Sequence, residues 1–383
     1  VTIQLPQMIV EAGFQPKSPA GTPGQFILDS ALQGILDTDF LGAGVASWAD
    51  ISSYVLNFTI TRASTREQGP LLTVQASTFS CTLDNTDGRF DPDNLNGPYV
   101  AFGVTQIRPM IPVRVRAEWA GTDYALFSGF ADSWQDMLVD YSQSYDEVTL
   151  SATDGFKALA GITLAPVTAA GAGEDAGSRV TRILNSLGWY ADHRRISAGD
   201  LTLQATTYGD TALNLLQLAA DSEIGELYVD GGGNLVFRHR RAVLGETRSV
   251  TPQAVFGDLP GTVQPAGTEL AFASVGRADD DTTMANDVQA TNVNGGILQE
   301  VTDDNSVATF LFPRTYARSD LILQTDADAN YWAQGILQVS KNGEDRFEQL
   351  NVDPQADTAN LWPQVLGREY GDRIQVWRRP LTK

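Results

Sequence analysis

Between Leu83 and Asn94 the chain reads LDNTDGRFDPDN, and Asp84, Asn85, Asp87, Asp91 and Asp93 crowd five oxygen-bearing side chains around Gly88. Calcium is the ion that such a loop invites, because hard cations take several oxygen ligands from a tight turn. The register fails, however. With Gly88 at the sixth position of a calcium loop, the first position falls on Leu83 and the twelfth on Asn94, so two key ligands are missing. The expected structure is a turn in which Asn and Asp satisfy local backbone groups and Gly88 supplies a positive φ.

Other chemistry is sparser still. Asp279, Asp280 and Asp281, followed by Asp303 and Asp304, repel one another and read as a solvated loop, not a metal site. The only histidines, His193 and His239, sit in Asp-His-Arg-Arg and Arg-His-Arg-Arg, with no G-x-S-x-G elbow near either. A glycosidase pair among the 47 acidic residues stays open, since any two carboxylates can meet in space. Val229–Asn234, VDGGGN, lacks the Lys and the spacing of a phosphate loop and predicts a hairpin turn. Arg238, His239, Arg240 and Arg241 form the one dense basic cluster, which is expected to pair with acidic groups in an oligomer. Trp119, Trp134, Trp189, Trp332, Trp362 and Trp377 are scattered as core or interface anchors, not gathered into a sugar platform. No catalytic residue, metal ligand or cofactor is assigned, and the chain is expected not to be an enzyme.

The elements that must position these residues come from composition and period. A chain of 383 residues with 42% hydrophobic and 19% charged residues has enough apolar surface for ordered domains, two or three by length. A net charge of -21 argues against wrapping nucleic acid through phosphate neutralisation, while an acidic wall would keep DNA from sticking in a conduit. A single cysteine, Cys81, excludes an intrachain disulfide framework. The N-terminal residues do not read as a secretory signal, and no apolar run approaches the roughly 18 residues of a membrane span, so synthesis in the cytoplasm is expected.

Residues 1–50 read as extended segments and loops, with a first strand at TIQL. From Ile51 alternation predicts a β meander: Val55 to Thr61, Leu72 to Phe79, Pro112 to Ala117, Tyr124 to Phe130 and Val148 to Ala152. That pattern suits a barrel or a sandwich. Two helices follow, one capped by Ser178 and one opened by Asp210 or Thr211 and ended by Gly225, then a hairpin over Glu226–Arg238. The last third returns to strands at Asp287–Thr291, Ala308–Phe312, Glu348–Val352 and Arg373–Trp377. Thr325 and Asp328 there have the spacing of a capping box ahead of a helix.

In order, Arg66 and Gly69, Leu83 to Pro92 (with Arg89, Phe90 and Pro92 in its core), Pro98-Tyr99, Arg108 to Val115 and Leu126 to Gly129 resemble minor tail proteins of long-tailed phages infecting actinobacteria. The helix from Ala212 to Asp221 and the hairpin Leu227 to Arg238, with Tyr228, Asp230, Gly233 and Arg238, resemble the α/β part of baseplate hub proteins. Asn286-Asp287-Val288 and Gly371 to Val376, with Asp372 and Arg373, resemble the same hubs. The likeness spans nearly everything after Ser52, and only the order of its motifs is specific.

The resemblance implies a mainly β fold with α+β insertions: two tube-like antiparallel β-barrels plus a small α/β domain. The expected layout is an N-terminal extended segment (1–50), a first barrel (51–160), the α/β domain (161–250) and a second barrel with one helix (251–383). It further implies a homotrimer forming a pseudo-sixfold ring at the virion tail tip. The implied partners are the distal tail protein ring, the end of the tape-measure protein, downstream tip or fibre proteins, and phage DNA only in transit. The competing readings are a distal tail or other peripheral baseplate subunit and a tail-associated cell-wall hydrolase.

Overall fold

The computed structural model describes residues 4–14, 47–62, 64–65, 71, 73–101, 103–138, 146–342 and 344–379. Arg66, Gly69, Leu72 and most of the N-terminal segment lie outside them. Seven strands build the first sheet: β1 (Gln7–Phe14), β2 (Ser47–Asp50), β3 (Val55–Thr61), β4 (Thr78–Asp84), β5 (Pro112–Trp119), β6 (Thr122–Leu138) and β7 (Asp146–Asp154). Their order is β2-β1-β5-β6-β7-β4-β3, antiparallel throughout. The first described strand begins at Gln7; of the TIQL stretch, Thr2 and Ile3 lie outside the described residues and Gln4 and Leu5 are not in a strand. Alternation sets the buried face: Phe79, Cys81 and Leu83 of β4, Val113 and Val115 of β5, and Val148, Leu150 and Ala152 of β7 point into one core. On the opposite face Arg114 and Arg116 both bind Glu11, at 2.7 and 2.9 Å. Their guanidinium groups hold the Glu11 carboxyl below its usual range.

Three helices follow. α1 (Gly155–Gly161) is capped by Asp154, which accepts from the Phe156 and Ser77 amides at 2.9 and 2.6 Å. α2 (Ala176–Ser186) is capped by Asp175, not by Ser178; the Ser178 amide donates to Asp175 at 3.0 Å. Asp thus takes the cap one turn earlier than the serine suggested. α3 (Ala212–Glu223) opens on Thr211 as expected, but the left-handed residue that ends it is Ile224, with φ +58°. Gly225 is still required there, because a Cβ would sit 2.8 Å from the Arg238 carbonyl oxygen.

In the last third, Asp287–Asn292 lies between Gln299–Thr302, antiparallel, and Thr315–Leu321, parallel. The capping box at Thr325 and Asp328 opens the helix Asp326–Ser340. Two expectations are corrected. Ala308–Phe312 was expected as a strand, but Asp303 caps a helix over Asp304–Phe310, its carboxylate accepting from the Ser306 amide at 2.9 Å. That local bond outweighs the β-branched and aromatic composition of the stretch. Asp279 and Asp280 are not in a loop: they end the strand Ser274–Asp280, which pairs with Glu344–Asn351, a segment remote in sequence. Asp281 pairs with Arg314.

The expected closed barrels are not seen among the described residues. The first sheet ends on β2 and β3, which do not pair with each other, and the later strands form short two- and three-stranded sheets. Among the described residues three of these later pairings are parallel, including Asp287–Asn292 with Thr315–Leu321, and the others are antiparallel. The fold is mainly β, with several separate sheets. No helix among the described residues is long and apolar enough to cross a membrane. One apolar cluster joins α1, α2 and α3 to Val288, Leu321 and the helix residue Trp332, which is fully buried and donates its indole N–H to the Asp221 carbonyl at 2.9 Å.

Replacing Trp332 by Ala should cost about 3–5 kcal/mol, read as a fall in the urea midpoint at unchanged slope. A second expectation concerns the parallel pair Ala254–Gly257 and Ile374–Trp377. Beside it Glu269 binds Arg379, whose guanidinium holds the Glu269 carboxyl at about 2, from an ordinary 4.5. Because the folded value is depressed, this contribution is complete above about pH 4.5 and lost as pH falls through about 2. Thermal midpoints of wild type and Glu269→Gln should therefore converge as pH drops through that window.

Candidate functional site

The turn after β4 spends its oxygen atoms on itself. Asp84 accepts from the Thr86 amide (3.0 Å), Asp91 from the Asp93 amide (2.8 Å), and Asn85, 2% exposed, from the Phe90 amide (2.8 Å). Asp87 binds the Arg89 side chain at 2.8 Å, and this cation lowers the Asp87 carboxyl. Arg89 in turn lies 3.9 Å from the centre of the Tyr54 ring. Gly88 takes φ +68°, and Asn94 donates to its carbonyl at 2.8 Å. These bonds drive Phe90 inward, where it is fully buried and stacks on Tyr99 (5.6 Å) and Trp134 (6.1 Å). Pro92 is half-buried and Asp93 exposed in the continuation of the loop. The turn is a device that plugs the core of the sheet with an aromatic ring.

The other motif residues converge on a second place. Asp230 folds the hairpin tip by accepting from the Gly232 and Asn234 amides at 3.0 and 2.9 Å, with Gly233 at φ +84°. Its glycines allow the tip to lie on β6: a Cβ on Gly231 would fall 2.3 Å from the Ala125 carbonyl oxygen, and one on Gly233 would fall 2.8 Å from Ser128 Oγ. At the hairpin's other end Arg238, 4% exposed, binds Glu226 (2.8 Å), Glu246 (2.9 Å) and Ser249 (2.6 Å). Gly371, at φ +80°, covers it so closely that a Cβ would sit 1.7 Å from Arg238 Nη1. Asp372 binds Arg248 at 2.5 Å, and Arg373 donates to the Val250 carbonyl at 2.8 Å. Tyr228 packs on Tyr370 at 5.0 Å. Arg62, just beyond β3, binds Glu369, which also accepts from the Gly231 amide at 3.1 Å. Three stretches far apart in sequence therefore share one buried joint. Nothing local in the sequence marks Arg62 or Glu369, since each is the other's partner across 307 residues.

The basic cluster finds acidic partners within the chain, while Arg240 Nη2 and His239 Nδ1 are buried without a hydrogen-bond partner. Besides Arg238, Arg241 binds Asp200 at 2.9 Å, and Arg240 lies 4.2 Å from the centre of the Tyr331 ring. Asp200, Glu223 and His239 each bring a ligand atom within 4.8 Å of the others, a grouping that sequence spacing did not suggest. Glu223 is already committed, accepting from the Asp200 and Leu201 amides at 2.9 Å each, while burial pushes its carboxyl up. Asp200 also faces Arg240 at 3.6 Å, so its carboxylate is shared between two guanidinium groups. Ser197 meets His239 through the main-chain amide (2.9 Å) and donates its hydroxyl to the Phe237 carbonyl (3.0 Å), which is not a nucleophile–base bond. His193 stands apart and exposed.

Asn286 and Asp287 organise the three-stranded sheet. Asn286, fully buried, accepts from the Arg314 amide at 2.7 Å and donates to Ser306 Oγ at 3.2 Å. Asp287 accepts from the Thr302 and Thr315 hydroxyls at 2.9 and 2.6 Å.

No family model and no curated protein matches this chain. Among solved structures it is similar to the 43 kDa tail protein of prophage MuSo2 from Shewanella oneidensis, at 14% identity and a TM-score of 0.47, covering 87% of this chain and 78% of that one. It is also similar to a tail protein from Neisseria meningitidis MC58, at 12% identity and a TM-score of 0.44, over 76% and 72% of the two chains. A prophage tail protein from Listeria monocytogenes EGD-e follows at 8% identity and 0.42, over 76% and 74%.

Two alanine substitutions separate the turn from the joint. Gly88→Ala meets only its left-handed φ, with the nearest atom 3.5 Å from the new Cβ, and should cost about 1–2 kcal/mol. Gly371→Ala must also displace a guanidinium held by three partners and should cost about 3–5 kcal/mol. Equal costs in chemical denaturation would contradict the joint's rigidity.

Proposed function

We propose that this chain is a structural hub subunit of a phage tail tip. Three copies form a pseudo-sixfold ring that adapts a sixfold tail tube to a threefold tip and lines or closes the DNA channel. The observation that carries the reading is the joint at Arg238. The two stretches most hub-like in sequence, Leu227–Arg238 and Gly371–Val376, are 133 residues apart at Arg238 and Gly371 yet fit each other atom for atom. Their motif residues serve a shared fold, which supports inheritance of that fold as a unit. The same holds for Asp84 to Pro92, whose polar groups shape a turn and leave no chemistry to perform.

The free edges of the first sheet supply the means of assembly. β3, VLNFTIT, carries no charge and no proline; among the described residues it pairs on one side only, and it exposes Leu56 (56%) and Phe58 (37%). An edge of this kind calls for a covering strand, and in a ring the neighbouring copy provides it, completing the tube-like barrels that one chain leaves open. The net charge of -21 suits a lumen through which DNA passes without adhering. The distal tail ring, the tape-measure end and the downstream tip or fibre proteins are the further partners, and the role is not enzymatic.

Mass photometry and negative-stain images of the purified chain, alone and with its tail partners, should give threefold rings with a central opening. Sixfold rings would move the chain to a distal or peripheral baseplate position, and clearing of purified cell walls would overturn the non-enzymatic reading.

A further inference from the structure

Asparagine followed by glycine is the pair in which the main chain most readily attacks its own side chain, because glycine has no Cβ to hinder the approach of its amide nitrogen. Three such pairs occur: Asn96-Gly97, Asn294-Gly295 and Asn342-Gly343. Gly343 lies outside the described residues, and the fold treats the other two in opposite ways. Gly97 is buried, and its amide donates to the Asn94 carbonyl at 3.1 Å. The Asn96 amide donates to Asn94 Oδ1 at 3.2 Å. To react there, the chain must first open a hydrogen-bonded turn.

Asn294 and Gly295 lie between the strands Asp287–Asn292 and Gln299–Thr302, and both are exposed. They take φ +69° and +90°, a conformation that asparagine and glycine tolerate. The Gly295 amide has no hydrogen-bond acceptor among the described residues. The turn is closed around the pair and not through it: the Val293 amide donates to the Leu321 carbonyl at 2.8 Å, and the Gly296 amide to the Asn292 carbonyl at 3.2 Å. The Asn294 side chain is held by one long bond, from Nδ2 to Gln204 Oε1 at 3.4 Å. A nucleophile with no partner to give up thus stands in water beside a loosely held side-chain amide.

We infer that Asn294 is a site of spontaneous deamidation. Solvent base takes the Gly295 amide proton, the nitrogen forms a bond to Asn294 Cγ, and Nδ2 leaves as ammonia, giving a cyclic imide. Water then opens the ring. Breaking the bond to Cγ leaves aspartate, and breaking the bond to the main-chain carbonyl carbon leaves isoaspartate. Either product carries a negative charge where the amide was neutral. Gln204 Oε1 then faces a carboxylate in place of a donor, while Gln204 Nε2 still donates to the Val293 carbonyl at 3.2 Å. Isoaspartate also adds a methylene to the main chain of the turn that leads to Ile297 and Leu298, 69% and 53% exposed. The change needs no enzyme and is not reversed by water, so it records the age of a folded chain. It is independent of the ring reading above.

Peptide mapping by mass spectrometry tests it on the wild-type chain, kept folded at mildly alkaline pH and sampled over days. Aspartate and isoaspartate together should accumulate at Asn294 at least about fivefold faster than at Asn96, the ratio that opening one hydrogen bond gives. The rate at Asn294 should rise in proportion to hydroxide, as removal of an amide proton requires, and the two rates should converge once urea unfolds the chain. A folded-state rate at Asn294 no faster than at Asn96, or no faster than at Asn305, an exposed asparagine followed by serine, would overturn the assignment. A preference for Asn294 that persists undiminished in urea would overturn it too, because the sequence neighbours and not the fold would then decide.

Discussion

A guanidinium that is 4% exposed must be surrounded by acceptors, and the consequences of that requirement at Arg238 reach most of the chain. Its partners Glu226, Glu246 and Ser249 come from the hairpin and from the segment after it. Its remaining face is closed by Gly371, the one residue type that can take the left-handed backbone there without a Cβ in the way. Once Gly371 is placed, Glu369 lies where it binds both Arg62 and the Gly231 amide, and so ties β3 to the hairpin tip. A pair of this kind gives little net stability over an apolar equivalent, but leaving either charge alone is costly. Its effect is therefore on specificity: it permits one arrangement of sheet, hairpin and C-terminal segment.

The first sheet solves a different problem. Seven antiparallel strands bury one face, but an unclosed sheet leaves the mouth of its core open. The turn Asp84–Asn94 fills that mouth with Phe90, and three of its acids, Asp84, Asp87 and Asp91, shape the backbone or offset Arg89. A loop dense in carboxylates is thus compatible with pure architecture when each oxygen has a nearby amide to accept from.

Local pattern revealed much of this. The alternation of Val113, Arg114, Val115 and Arg116, the Asp-Gly-Gly-Gly-Asn tip and the capping box at Thr325 are interactions between near neighbours, so they are visible in a single stretch of sequence. The helix at Asp304–Phe310 was hidden because Val, Thr and Phe favour strands, while the deciding bond, Asp303 to the Ser306 amide, is a single cap. The strand containing Asp279 and Asp280 was hidden because its partner lies beyond a whole helix. The partner of Arg241 was hidden for the same reason: Asp200 comes beside it only after folding. Sequence alone shows that Arg238 to Arg241 carry charge, and the tertiary structure decides where that charge goes.

Completion by partners differs from place to place in the molecule. Arg238 and Asn286 are buried with their acceptors and donors supplied by the chain itself, whereas Arg240 Nη2 and His239 Nδ1 are buried without a partner. Among the described residues, the first sheet ends on the backbone of β2 and β3. Edges of that kind are suited to strand pairing with another protein chain, which is what the proposed ring requires.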